Sequence, residues 1–202
     1  MSNPTQNPKS NETPQQIKMA AFRLFASQGY DGTTIRDIVE TAGVTKPVLY
    51  YYFKNKEELY LSIIQEAYQY FFSQLVPILE RKEAFRDKLM KVVALYLLLT
   101  EEKTDVIRML FDVLIFPKRN KISSDFVWDY ENRHIALIES LFAEGMQTNQ
   151  IREGPLEPVV NHFLGSIFIY ILIKLTENRE IPEGIQATIV DYVLHGLGES
   201  KQ

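Results

Sequence analysis

Residues 33–56 read TTIRDIVETAGVTKPVLYYYFKNK, two short amphipathic stretches hinged on one glycine, and no other segment limits the fold as tightly. The first stretch carries Ile35, Ile38, Val39 and Ala42 at helical spacing. Thr34 stands just before it, with a hydroxyl suited to the N–H groups that the first turn of a helix leaves unpaired. Gly43 ends the stretch, because glycine permits the left-handed backbone that a sharp turn between helices needs, and Val44 can tuck into the angle. A second helix follows at once. Thr45 is its expected cap, and Pro47 falls in a first turn where a missing N–H costs nothing.

The two faces of the second helix differ in chemistry. At about 100° per residue, Leu49 and Phe53 share one face with Tyr52 beside them, whereas Lys46, Pro47, Tyr50, Tyr51 and Lys54 share the other. The first face is core. The second offers cations, a rigid apolar ring and two phenols, which suit phosphates, base edges and thymine methyls. Asn55 caps a further helix, so that Lys56 is expected where a helix N-terminus and a cation can hold one phosphate together. Ahead of this pair, Thr13-Pro14-Gln15-Gln16 reads as a cap, a first-turn proline and a capping-box glutamine. Ile17, Ala20, Ala21, Leu24 and Phe25 follow as a stripe that ends before Gly29.

These residues carry a resemblance. The segment 15–59 resembles the N-terminal domain of the TetR/AcrR family of bacterial transcriptional regulators, through Ala20-Ala21, Phe25, Gly29-Tyr30, Thr33-Thr34, Ile38, Ala42-Gly43-Val44, Leu49-Tyr50, Phe53 and Lys56. The resemblance implies an all-α homodimer that binds a palindromic operator in double-stranded DNA and is released by a small molecule. It implies base contacts from Arg36, Pro47 and Val48, and phosphate contacts from Thr34, Thr45, Lys46, Tyr50, Tyr51 and Lys56. Each has a structural alternative: Thr34 and Thr45 can serve only as caps, and Val48 can be half-buried. Where many relatives have glycine and threonine before the Leu-Tyr pair, this chain has Pro47 and Val48, which favours apolar contact with a thymine methyl.

Charge refines the expectation. The net charge is −4, yet residues 1–60 hold seven Lys or Arg against six Asp or Glu, and residues 61–202 hold 15 against 20. A near-neutral head on an acidic body implies modest non-specific affinity for nucleic acid. With no cysteine in the chain, disulfides and thiolate metal sites are excluded. No apolar run marks the first thirty residues as a signal peptide, and the longest apolar run, 163–175, falls short of the roughly 20 residues a bilayer crossing requires. The expectation is a soluble, cytoplasmic protein without a membrane partner, metal or cofactor.

The organisation expected is a disordered tail over 1–12, a three-helix head over 13–60, and a helical effector-binding and dimerisation body over 61–202. The two are fused through a shared helix that runs from Lys56 into the 68–72 region. Further helices are expected over 85–99, 105–115 ended by Pro117, 124–148, 157–176 and 183–197. The helix over 157–176 is apolar nearly all round and must be covered on more than one side. A second subunit is the natural cover, with Phe163, Ile167, Tyr170, Ile171, Ile189, Tyr192 and Val193 as interface candidates and Gly165 and Ser166 allowing close approach. The alternative is a central helix fully buried in a monomer.

Aromatic and Met residues in the body, including Phe116, form either core or the lining of an apolar cavity. Tyr96, Met109, Trp128 and His134 are the candidates for a small apolar or amphipathic effector, His134 being equally explained as a buried, hydrogen-bonded histidine. Catalysis finds little support: His134, His162 and His195 are scattered, no thiol nucleophile exists, and Gly-rich phosphate loops are absent. The reading is a ligand-responsive repressor and not an enzyme. Its rivals are a helical small-molecule carrier whose head no longer binds DNA, and a constitutive DNA-binding protein with a filled core.

Overall fold

A computed structural model describes residues 9–115 and 124–197, with side chains over 13–115 and 127–195. Its described residues form helices and connecting turns with no strand. The order is α1 (Lys9–Gly32), α2 (Ile35–Ala42), α3 (Lys46–Tyr52), α4 (Lys56–Leu79), α5 (Phe85–Glu102), α6 (Thr104–Ile115), α7 (Ser124–Gln147), α8 (Leu156–Glu177) and α9 (Ile185–Leu197). The described residues divide into two compact units, one of 9–68 with 108–115 and the other of 69–107 with 124–197.

In the first unit, α1 places Ile17, Ala20, Ala21 and Phe25 against Ile38 and Val39 of α2, Leu49 of α3, and Leu59, Tyr60, Ile63 and Ile64 of α4, all buried. This core follows from the 3.6-residue period of each stretch, which gathers its apolar side chains on one face. Two sequence expectations fail here. The helix α1 starts at Lys9, four residues before Thr13, so Pro14 lies inside it and 9–12 are helical; the rest of the expected tail, 1–8, lies outside the described residues. A proline this early removes only its own N–H bond back to the Ser10 carbonyl, which leaves the rest of the helix intact. The helix α4 likewise continues through Pro77 to Leu79, beyond the 68–72 end expected for it.

In the second unit, α5 buries Phe85, Leu89, Val92, Val93, Leu95 and Leu99 against α7, α8 and α9. Phe142 of α7 is fully buried at the centre, with Phe85 edge-on at 5.5 Å and Phe163 of α8 at 5.4 Å. Gly145 is required beside them, because a Cβ there would lie 2.9 Å from the Phe85 ring. The one buried lysine of the described residues, Lys88, gives two hydrogen bonds of 2.9 and 2.8 Å to the Glu144 carboxylate, which keeps its charge paired. The helix α9 opens at Ile185 and not at Glu183, since Gly184 takes φ 78°, a turn conformation rather than a helical one. Pro117 and Phe116, the expected end of α6 and a cavity candidate, lie outside the described residues.

Candidate nucleic-acid interface

The head is assembled from local hydrogen bonds that the sequence supplies in order. Gly29, at φ 75° and ψ 172°, breaks the helical path of α1. The Thr33 hydroxyl donates to its carbonyl at 2.8 Å. Thr34 then caps α2: its oxygen accepts from the Asp37 N–H at 3.2 Å, and the Asp37 carboxylate accepts from the Thr34 hydroxyl at 2.7 Å and the Thr34 N–H at 3.1 Å. These bonds, the Thr34 hydroxyl first, hold the Asp37 carboxyl below the usual carboxylate range. Gly43 closes α2 in the left-handed region at φ 66° and ψ 29°, and the Val44 N–H turns back to the Val39 carbonyl at 3.0 Å.

The helix α3 begins after Thr45, which has the extended backbone of a cap but makes no side-chain cap bond, contrary to the role expected of its hydroxyl. Pro47 in the first turn replaces that bond as the device that starts the helix, its ring presetting φ. Leu49 points inward and is fully buried, and Phe53 beside it is 6% exposed. Tyr51 is 82% exposed and Tyr50 50%, with Lys46, Pro47 and Thr45 exposed on the same side. Val48 is half-buried at the edge of this face. The face has the composition that the sequence indicated, and it stands clear of the core.

On α2, Arg36 is exposed and paired with Glu40 at 2.7 Å, an i,i+4 surface pair that water and salt weaken and that another anion can displace. At the start of α4, the Asn55 side chain accepts from the Glu58 N–H at 2.7 Å and the Glu58 carboxylate accepts from the Lys54 N–H at 2.6 Å. Lys56 is differently engaged from the free phosphate ligand expected of it. Its ammonium donates to the carbonyls of Tyr30 at 2.7 Å and Thr33 at 2.9 Å, and lies 4.1 Å from the centre of the Tyr30 ring. Burial lowers its pKa, with Asp31 acting in the opposite direction.

Two of the four effector candidates are brought together within one unit. Tyr96 and His134 meet in the second unit, where the phenol is hydrogen-bonded to the imidazole Nε2 and the other ring nitrogen lies 3.5 Å from the Glu131 carboxylate. Phe71 packs edge-on against His134 at 5.4 Å and, tilted, against Tyr96 at 5.3 Å. Burial raises the Tyr96 pKa well above its ordinary value, with Glu131 adding to it. Met109 belongs to the first unit, buried with its carbonyl 3.5 Å from the Tyr60 hydroxyl. Trp128 is 52% exposed and lines no interior of its unit. Phe71 and Glu131 went unnoticed in the sequence, although the three-residue spacing of Glu131 and His134 on one helix was a readable signal. Among the described residues no three of His, Cys, Asp and Glu come together where a metal ion can sit.

The interface candidates also separate. Phe163, Ile167 and Ile171 of α8 and Ile189 and Val193 of α9 are buried inside their own unit, so as a surface for a second subunit they are corrected. They repeat every four residues and take the inner stripe. What remains outward is Phe168, Ile169 and Tyr192, with Tyr170 half-buried and an open space where a Gly165 side chain would stand. The full helix α8, at 22 residues, is long and apolar enough to cross a membrane by length and composition, which the shorter apolar run in the sequence had hidden. Its buried stripe is instead spent on packing within the unit.

Residues 17–63 match the family model described as bacterial regulatory proteins, tetR family. The biofilm operon icaADBC HTH-type negative transcriptional regulator IcaR of Staphylococcus epidermidis is 41% identical over 56 residues, 28% of this chain and 30% of that protein. The match thus spans less than a third of that relative's length. The fatty acid metabolism regulator protein of Bacillus subtilis is 26% identical over 145 residues, 69% of this chain and 71% of that one. The solved structure of the transcriptional regulator FadR from Bacillus subtilis in complex with stearoyl-CoA covers 91% of this chain and 99% of its own, with TM-score 0.75 and 20% identity. That likeness shows the same fold.

Proposed function

We propose that this chain, which matches the tetR family model over residues 17–63, is a cytoplasmic, sequence-specific DNA-binding regulator of that family with no catalytic step. It acts as a homodimeric repressor on a palindromic operator and is released by a small amphipathic effector. The observation that carries this reading is the outer face of α3, where Tyr51 is 82% exposed and Tyr50 50% while Leu49 on the opposite face is fully buried. A solvated helix gains nothing from two exposed phenols beside Lys46. A duplex gains phosphate hydrogen bonds from them.

In this reading Tyr50, Tyr51, Lys46, Thr45 and Thr34 hold the backbone of the DNA. Arg36, Pro47 and Val48 reach the base edges, with Arg36 exchanging Glu40 for a guanine or a phosphate. Two heads must enter successive major grooves about 34 to 36 Å apart, which calls for a dimer. Phe168, Ile169 and Tyr192 are the exposed apolar side chains that a second copy covers, and the bare Gly165 lets it approach.

For the effector, the linked Tyr96 and His134 offer a polar anchor among apolar helices. An acyl-CoA is the class to test first, because the fold neighbour from Bacillus subtilis holds stearoyl-CoA and a relative is named for fatty acid metabolism. To turn a population from 1:99 to 99:1, such an effector must prefer the non-binding state about 10⁴-fold. The test selects bound duplexes from a random pool at stated salt, then titrates stearoyl-CoA into the complex. Release of a selected palindrome is the expected result, and a complex unmoved by saturating stearoyl-CoA removes acyl-CoA as effector. Failure to select any duplex overturns the regulator reading itself.

A further inference from the structure

From Pro158 to Ile173, α8 holds no Asp, Glu, Lys or Arg. Its outward ridge runs in alternating steps of four and three residues through Pro158, His162, Gly165, Ile169, Leu172 and Thr176, the spacing of a seam that packs along a second helix. Leu172 is half-buried and the others are exposed. His162 is therefore the one side chain of this ridge that can take up a proton and become cationic. Among the described residues its imidazole makes no hydrogen bond or ion pair; the Ser166 hydroxyl donates to its backbone carbonyl at 2.8 Å and leaves the ring alone.

The charged groups of the helices packed on α8 are engaged elsewhere. Lys88 of α5 is paired with Glu144 of α7, Arg86 of α5 with Asp191 of α9 at 2.8 Å, and the His195 ring of α9 donates through Nδ1 to the Asp191 carbonyl at 2.7 Å. On α8 itself, Glu157 and Lys174 lie about 140° and 120° round the helix from His162. Gly165 stands at the middle of the ridge, with open space where a Cβ would be. A two-fold axis passing there, perpendicular to α8, relates residues equally far before and after it, so that His162 meets Phe168 of the second copy and Asn161 meets its Ile169. In the single chain Phe168 is 38% exposed and Ile169 47%. Sealing an imidazole between such side chains favours its neutral form, because a charge taken out of water without a partner costs far more than a neutral ring.

We propose that the seam between two copies is acid-labile through His162: protonation of its imidazole separates the copies, and with them the pair of heads that operator binding needs. The proposal rests on the dimer reading above. Its sign follows from linkage. The dimer holds the imidazole neutral, so association is undisturbed above the ordinary imidazole range and weakens as pH falls through it, each copy taking up one proton as it leaves.

Sedimentation equilibrium, with subunit exchange between two labelled populations, gives the dimer affinity from about pH 8 to about pH 5.5, the interval in which imidazoles titrate. Circular dichroism follows helicity in parallel. Two sites change together in a symmetric dimer, so the wild-type dissociation constant is expected to rise at least about tenfold across the interval, with a ceiling of about a hundredfold per pH unit. His162→Gln, polar but not titratable, is expected to lose most of that dependence, and His195→Gln to keep it. A wild-type dissociation constant that ignores pH, or a dependence that survives in His162→Gln, overturns the proposal. So does a dimer that tightens in acid, as an imidazolium against the Phe168 ring would make it. Loss of helicity over the same interval assigns the acid response to unfolding and overturns it as well. If His162→Gln fails to fold or to pair, His162→Leu, which suits an apolar seam, decides by the same comparison. A wild-type chain that is monomeric at every pH defeats the dimer reading itself, and co-flotation of that monomer with phosphatidylcholine vesicles would give the face to a membrane instead.

Discussion

Replacing Tyr51 by phenylalanine removes one oxygen from the most exposed phenol of the reading helix. The ring is 82% exposed and its recorded ring contact is with Tyr52, edge-on at 4.9 Å, so the folded chain loses almost no burial. Stability should stay within about 0.5 kcal/mol of the wild type, as for surface substitutions generally. In the proposed complex the hydroxyl donates to a phosphate, and a hydrogen bond to a charged group contributes about 1.5 kcal/mol at the lower end of its range. A symmetric dimer loses that bond twice. The penalty is then about 3 kcal/mol, or roughly 150-fold in dissociation constant. Because the phenol is neutral, the salt slope should not change, in contrast to loss of a lysine that touches phosphate. Anisotropy of a labelled operator at several salt concentrations, with thermal unfolding of the free protein, measures all three quantities. Affinity within threefold of the wild type for both Tyr51→Phe and Tyr51→Ala would refute the assignment of this face to DNA.

Leu49→Ala empties a fully buried site behind the reading helix and is expected to cost about 2–5 kcal/mol, read as a lower urea midpoint; an unchanged midpoint would mean that α3 is not docked through Leu49. Asp37 has its pKa lowered by the Thr34 hydroxyl, so its contribution is fully present above the usual carboxylate range and fades as pH falls through the lowered value. Carboxyl titration by NMR should show this depression and its loss in Thr34→Ala, and an ordinary Asp37 titration in the wild type would contradict the capping box. Tyr192→Glu places a charge on a side chain 72% exposed in the single chain, and sedimentation should show the dimer shifted toward monomer; an undisturbed dimer would put the partner on another face.

The head was legible because its signals are local. Gly43, the Thr34 and Asn55 caps and the Leu49–Phe53 face each act within a few residues, and each appears where the sequence places it. Thr45 was half legible: its backbone caps α3, but Pro47 makes its hydroxyl unnecessary. The start of α1 was misread because a capping pattern at Thr13 looks the same whether the helix begins there or has already begun. On α8 the periodic signal itself is missing, since apolar residues fill the inward and outward faces alike. Nothing in the sequence separates the buried Phe163, Ile167 and Ile171 from the exposed Phe168 and Ile169. Long-range partners were the least legible. The pairing of Lys56 with Tyr30, and of Tyr96 with His134 across 38 positions, depends on how helices pack and leaves no local pattern.

Two reading helices carried by one symmetric dimer onto successive major grooves are the centre of this account. Selecting duplexes from a random pool with the purified chain at physiological salt, and measuring the mass of the complex, tests this directly. The account predicts an inverted repeat whose half-sites lie about 10 base pairs apart, or a multiple of that spacing, bound by an even number of chains. Enrichment of a single unpaired half-site by a monomer, or no enrichment at all, would contradict it.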